Sequence, residues 1–275
     1  MAATFFAVDE MSQALFIHRV STSPSILLVT PVWNDASRLR QFGPQMAQAL
    51  ADSDLSVRWV IADDGSAQEE VSQLKELVAQ FSTRYADLEL ITCSQRYRKG
   101  GAIYQAWDRN ADAKWFAFVD ADGAINAATV IHLLREAQSS EREGAVIGVR
   151  KNSSQNPVRR PLGRAVSFTL FTSMVRSLLG IKLLDTQCGL KVVPAASYRA
   201  VADKLYERGF VFDVELLVAL AANHVHIQEV PITWSEMPGG KVHPLRDAWG
   251  MLAGVLRIRK RLHGMHYLVT PLADT

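Results

Sequence analysis

Cysteine is scarce in this 275-residue sequence: only Cys93 and Cys188 are present, far apart. Neither a disulfide framework nor a zinc site can be built from them, and a reducing compartment fits. No apolar run reaches the roughly 18–20 residues needed to cross a bilayer. The first twenty residues are interrupted by Asp9, Glu10, His18 and Arg19, which breaks up any signal-peptide core. The longest apolar region, Ala165 to Leu184, is punctuated by Arg176 and Lys182 and reads as an amphipathic or core helix. An excess of one charge is missing too. Lys and Arg number 30 and Asp and Glu 28, a net charge of +2, which argues against nucleic-acid binding and leaves any basic function to local clusters. The first strand-like run continues as Thr30-Pro31-Val32-Trp33-Asn34-Asp35, with no G-x-G-x-x-G and no Walker-type loop. Dinucleotide dehydrogenases and P-loop enzymes are therefore disfavoured. With 48% hydrophobic residues the chain is nonetheless an ordinary globular one.

What is present is an alternation. Continuous apolar runs occur at 25–30, 57–62, 88–92, 115–119 and 145–149, each short enough for a strand buried on both faces. Helical patterns lie between them. Val71, Leu74, Leu77, Val78 and Phe81 share one helical face, and further helices are expected through about Leu50, over Gly101–Asn110 and over Ala127–Ser139. This order predicts an α/β fold, a mainly parallel sheet flanked by helices. Residues 1–24 read as an N-terminal extension, 25–245 as one domain with a helical C-terminal half, and 246–275 as a basic amphipathic helix and tail.

In such a sheet ligands bind beyond the carboxyl ends of the strands, and polar clusters stand at those ends. Asp120 and Asp122 are two apart, so in an extended or turning backbone both carboxylates point the same way. Such a pair suits Mg²⁺ or Mn²⁺; a solvated Asp-Gly turn is the other reading. Asp63-Asp64-Gly65-Ser66 follows a strand and precedes a helix. It reads either as a turn with a cap or as a carboxylate that accepts hydrogen bonds from a base or ribose. Arg96 to Gly101 is either a basic solvated loop or a place where two glycines let backbone approach an anion. Asp213 and Glu215 are either acids that orient a sugar or act as a weak base, or carboxylates favoured by a helix N-terminus. His224, His226 and His243 read as surface or core residues, and Cys188 as a packing residue.

In order, VTPVWND (29–35), DDGS (63–66), RKGGA (98–102), DADGA (120–124), GVR (148–150), DTQCGLKV (185–192), FVFDVELL (210–217) and VPITWSEMPGGK (230–241) resemble the glycosyltransferase family 2 enzymes. Within that family the stretch at 185–192, with FDVELL and ITWSEMPGGK after it, is most similar to the branch acting on dolichyl and bacterial polyprenyl phosphates. The resemblance implies a GT-A fold and an inverting transfer of glucose from UDP-glucose. It implies that Pro31, Val32 and Asp35 surround the nucleoside, that Asp63 or Asp64 holds the base, and that Lys99 lies near the nucleotide. Asp120 and Asp122 would hold Mg²⁺ or Mn²⁺ against the diphosphate. Arg150, with Arg160 or Arg164, would bind the acceptor phosphate, Gln187 would lie near the sugar, and Lys241 near the phosphates. Asp122, Asp213 and Arg150 are the expected catalytic residues.

A phosphate monoester is largely dianionic at neutral pH and can attack an anomeric carbon with little general-base help, so no Ser-His-Asp set is required. Residues 150–184 hold seven Lys and Arg and no acid, which suits an anionic head group at a membrane surface. The C-terminal stretch repeats the theme with Trp249, Met251, Leu252, Val255, Leu256 and Ile258 beside Arg257, Arg259, Lys260 and Arg261. It reads as an interfacial helix or as a docked one. Peripheral attachment at the cytoplasmic face of a membrane is the expectation. The alternatives are the same fold with GDP-mannose or a non-lipid acceptor, and a non-catalytic nucleotide-sugar-binding protein at a membrane.

Overall fold

A computed structural model describes residues 24–110, 112–140, 142–159, 162–237 and 244–264. Residues 1–23 of the expected extension, Arg160, Lys241, His243 and residues 265–275 of the expected tail lie outside the described residues. The main sheet contains β1 (Ile26–Val32), β2 (Val57–Asp63), β3 (Leu88–Thr92), β4 (Trp115–Val119), β5 (Gly144–Val149), β7 (Leu190–Pro194) and β8 (His226–Pro231), in the order β3-β2-β1-β4-β7-β5-β8. β1, β2, β3 and β4 run parallel, as do β5 and β8. Two short strands, β6 (Val158–Arg159) and β9 (Trp234–Ser235), pair beside it.

The mainly parallel sheet matches the alternation in the sequence. The difference in direction is β7, which lies antiparallel between β4 and β5; the apolar-run pattern misses it, as it does the edge strand β8. The sequence of β7 is LKVVP, and the fully buried Lys191 interrupts the run.

Helices cover both faces, and this is why Ile26 to Val29 are all fully buried. On one face α1 (Ala36–Ala51), α2 (Gln68–Ser82) and α4 (Ala127–Ser139) bring Leu39, Met46, Leu74 and Leu133 against Leu28 and Trp59. On the other, α3 (Arg98–Arg109), the short α6 (Ala195–Arg199) and α7 (Phe212–Ala222) pack Trp107, Tyr198 and Phe212 around Phe116 and Phe118. Centroid separations of 5.0–5.6 Å among Trp107, Tyr198 and Phe116 give stacked and edge-to-face pairs.

A third core joins α5 (Leu162–Leu179) and α8 (Pro244–Gly264) to α7 through Val175, Leu179, Val214, Leu217, Val255 and Ile258. The C-terminal helix is thus docked. Gly254 allows the close approach, since a Cβ there would lie 2.4 Å from Val211. Arg257 and Arg261 clasp Glu207 at 2.7 and 2.8 Å, and Arg261 also reaches Glu215 at 2.6 Å. Burial pushes the Glu207 carboxyl up, but the two arginines outweigh it and hold the pKa below the ordinary 4.5. A depressed carboxyl contributes stability that is complete above its unfolded pKa and is lost as pH falls through the folded one. The protection of α8 amides, taken relative to their slower intrinsic exchange in acid, should therefore fall as the pH drops below that ordinary value. Glu207→Gln should reproduce the effect at neutral pH and lower stability by about 2 kcal/mol in a urea titration. Arg257 is more than half exposed, so most of that loss belongs to Arg261.

Candidate active site

The carboxyl ends of β1, β2 and β4 open on one edge of the sheet, and the register aligns Val32 with Asp63. Asp63 is fully buried. Its Oδ1 accepts the Ser66 N–H at 3.1 Å, while Oδ2 is buried without a hydrogen-bond partner among the described residues. Asp64, its neighbour, is occupied. Its Oδ1 accepts the Tyr97 N–H at 2.6 Å and its Oδ2 lies 3.9 Å from Arg96. Burial raises the Asp64 pKa. Gly65 has φ +68°, and a Cβ there would lie 2.8 Å from the Gln95 backbone. Asp64 and Gly65 therefore seat the loop before α3, and Asp63 carries the unsatisfied acceptor.

Arg96 lies 3.3 Å over the Trp33 ring. Asn34 and Ser66 tie the first two loops together, Asn34 N–H to Ser66 Oγ and Ala67 N–H to Asn34 Oδ1, both at 2.8 Å. Pro31 is half-buried at the end of β1, but the Val32 side chain belongs to the core, which leaves Val32 only its backbone to offer a ligand. The Gly100-Gly101 pair sits inside the first turn of α3 rather than before it. Gly100 donates to the Arg208 carbonyl at 2.8 Å, and a Cβ on it would lie 2.4 Å from Phe212. Both glycines allow close helix packing, and the Gly100 N–H is already committed.

Asp120 and Asp122 follow β4. Asp122 Oδ1 accepts the Ala124 N–H at 3.0 Å across Gly123, whose φ is +71°. Its Oδ2 lies 3.7 Å from Arg38, which also pairs with Asp35 one turn away. Burial, and then Asp120, push the Asp122 pKa up. Asp120 donates its N–H to Gly189 O at 3.0 Å. Its Oδ1 receives Lys99 at 2.5 Å. Burial alone would lower the Lys99 pKa; Asp120, Asp213 and Asp122 outweigh it and raise it.

Asp213 opens α7 and is buried beside Lys191, 3.5 Å from its Oδ2. Burial lifts the Asp213 pKa against the pull of Lys191 and Lys99. Lys191 also donates to Cys188 O at 2.7 Å. Glu215 turns away: it accepts the N–H groups of Tyr206 and Glu207 at 2.7 and 2.6 Å and binds Arg261. Its role is to fix the loop before α7. Gln187 donates to Phe210 O at 2.9 Å. Cys188 is fully buried, and burial pushes its thiol up to about 12, in keeping with packing.

Arg150 follows β5. Its Nε and Nη2 grip Asp185 at 2.6 and 2.8 Å, and the guanidinium lies 5.0 Å from the Phe168 ring and 5.5 Å from the Trp234 ring. Burial would lower its pKa, but Asp185 raises it. Asp185 in turn is held below the usual carboxylate range by Arg150 against its own burial. Arg150 thus reaches the site with one edge already committed. Arg164 belongs to α5, and its side chain lies outside the described residues.

Sequence reasoning missed Asp185, Lys191 and Arg38. Arg38 was visible as an i,i+3 partner of Asp35; the other two lie in the DTQCGLKV stretch, but their partners Arg150 and Asp213 are distant in sequence and gave them no role. The donor set at Asp120 and Asp122 fits a hard divalent cation. Among the described residues no third His, Cys, Asp or Glu joins them, so phosphate oxygens and water would have to complete the coordination.

The chain resembles known proteins along most of its length. The model for glycosyl transferase family 2 matches residues 28–205. Dolichyl-phosphate β-glucosyltransferase of Saccharomyces cerevisiae is 29% identical over 277 residues, 93% of this chain and 82% of that protein. The human protein of the same name is 25% identical, over 88% of this chain and 76% of that one. Among solved structures, glucosyl-3-phosphoglycerate synthase of Mycobacterium tuberculosis, bound to Mn²⁺, UDP-glucose and phosphoglyceric acid, superposes with a TM-score of 0.65 at 16% identity. The match covers 88% of this chain and 81% of that one. The likeness shows the GT-A fold. With more than half of its length matched by the family model, the chain belongs to glycosyl transferase family 2.

Proposed function

We propose that this glycosyltransferase moves glucose from UDP-glucose to the phosphate of a polyprenyl phosphate, dolichyl or undecaprenyl, with inversion and with Mg²⁺ or Mn²⁺ in the donor site. One observation carries the reading: a buried, unpartnered carboxylate oxygen on Asp63 shares a sheet edge with the Asp120–Asp122 pair and Lys99. That edge suits a nucleoside diphosphate, base at one end and phosphates at the other. The glucose and the lipid phosphate are taken from what the yeast and human relatives are named for.

In this reading Asp63 Oδ2 accepts an N–H of the base, and Pro31, Val32 and Asp35 border the nucleoside. Asp120 and Asp122 would hold the metal. Bound there, it offsets the negative charge that grows on the departing UDP. Lys99 adds a positive charge beside the same phosphates. An acceptor phosphate oxygen attacks C1 of glucose from the face opposite UDP; the C1–O bond to UDP breaks, and a β-linked lipid-phosphate glucose forms. Asp213, buried next to two lysines, orients the sugar with Gln187. Arg150, Arg160, Arg164 and Lys241 are the cations for the acceptor side. Arg150 acts there as a locked charge, because Asp185 fixes its orientation.

A membrane surface fits the acceptor. No helix among the described residues is long and apolar enough to cross a membrane. Val166 and Leu170 on α5, within the acid-free, Arg- and Lys-containing stretch 150–184, are exposed, as is Trp249 on α8. Such mixed surfaces favour shallow attachment to anionic lipid, on the cytoplasmic side where nucleotide sugars are found. The test is transfer of label into an organic phase from UDP-glucose or GDP-mannose, with undecaprenyl phosphate and Mn²⁺. UDP-glucose should label the lipid and GDP-mannose should not. Label from GDP-mannose alone would overturn the donor. Label on a water-soluble phosphate in place of the lipid would overturn the acceptor.

A further inference from the structure

Lys99 already occupies a carboxylate oxygen of the acidic pair. Lys99 Nζ lies 2.5 Å from Asp120 Oδ1. The other oxygen, Oδ2, lies over Gly189, so close that a Cβ there would be 2.2 Å from it. Oδ2 is thus turned onto the Gly189 backbone, and the lysine is on Oδ1, the oxygen turned away from it. Among the described residues Lys99 has little else to hold. The rings of Phe118 and Phe212 stand 5.3 and 5.8 Å from its Nζ, and the next carboxylate, Asp213, has Lys191 at 3.5 Å. Asp122 is also attended, by Arg38 at 3.7 Å. Both carboxylates of the pair therefore arrive with a protein cation beside them. A bare divalent ion would have to displace or crowd these charges. A nucleoside diphosphate removes the conflict, because it gives Lys99 an anion of its own and gives the metal further oxygens.

We propose that Lys99 competes with the metal for Asp120 Oδ1 and passes to the diphosphate when the nucleotide enters, so that metal and nucleotide are taken up cooperatively. The inference rests on the metal-dependent reading above. The role is a coupling one: binding of either ligand raises affinity for the other by the same factor.

Mn²⁺ binding to the full chain, followed by loss of the free-ion electron paramagnetic resonance signal, tests it without turnover. In the unaltered protein, UDP should tighten Mn²⁺ binding by about tenfold or more. Lys99→Met should bind Mn²⁺ alone about tenfold more tightly than the unaltered protein and gain much less from UDP. Lys99→Arg, which keeps the charge, should retain the weak Mn²⁺ binding and so separate charge from damage to packing. Equal Mn²⁺ affinity in the unaltered protein and Lys99→Met overturns the competition. So does an unaltered protein whose Mn²⁺ affinity ignores UDP, a result that stands even if the Met variant does not fold. No Mn²⁺ binding to any form, with UDP present, sinks the metal-dependent reading and this inference with it.

Discussion

Asp122→Asn should lower turnover by about a thousandfold, roughly 4 kcal/mol of transition-state stabilisation, while leaving the fold intact. The substitution isolates charge from geometry. Asp122 Oδ1 accepts the Ala124 N–H at 3.0 Å, and an asparagine oxygen can accept the same bond, so the turn through Gly123 survives. What disappears is one of the two negative charges available to a cation, and with it the partner of Arg38 at 3.7 Å. Arg38 keeps Asp35, so no buried cation is stranded and the melting temperature should move little. The measurement is kcat as a function of Mn²⁺ concentration, with circular dichroism alongside. Lower kcat together with a higher metal requirement is the expected pair of changes. Unchanged kcat would remove Asp122 from the reaction and reduce the Asp120–Asp122 pair to a turn.

The parts of this site that could be read from the sequence are those whose spacing is local. The carboxylates of Asp120 and Asp122 stand two residues apart after an apolar strand, and the strands Leu88–Thr92 and Trp115–Val119 begin and end where their apolar runs do. Two adjacent acids are harder to sort. Asp63 and Asp64 are equivalent by composition, and only the fold shows that Asp64 holds the Tyr97 N–H while Asp63 keeps a buried oxygen unpaired. Asp213 and Glu215 divide in the same way, one beside Lys191 and one given to the loop and to Arg261. The Arg150–Asp185 grip could not be read at all, because its partners are 35 residues apart and meet only when β5 and the turn before β7 come together. β7 itself was hidden by Lys191, a charge that is tolerated in a buried strand only because Cys188 O and Asp213 receive it.

The second large effect is expected where no charge changes. Gly189→Ala should cost about a hundredfold in kcat, through Asp120. Residues directly opposite each other on antiparallel strands point to the same face. The β4–β7 register pairs Val119 with Leu190, and one step further it sets Asp120 against Gly189, joined by the 3.0 Å bond from Asp120 N–H to Gly189 O. The carboxylate folds across the space where a side chain would stand. A Cβ at 189 would lie 2.2 Å from Oδ2 and 2.6 Å from Cγ of Asp120, so the acid must turn to another rotamer. Its Oδ1 then leaves Lys99 and the position from which it can serve a metal. The backbone is not the obstacle, because Gly189 is not among the residues with positive φ. The Gly189→Ala protein should therefore fold, with a melting temperature close to that of the unaltered protein and a raised Mn²⁺ requirement. A merely structural glycine would do the reverse, losing stability while the metal dependence stayed the same.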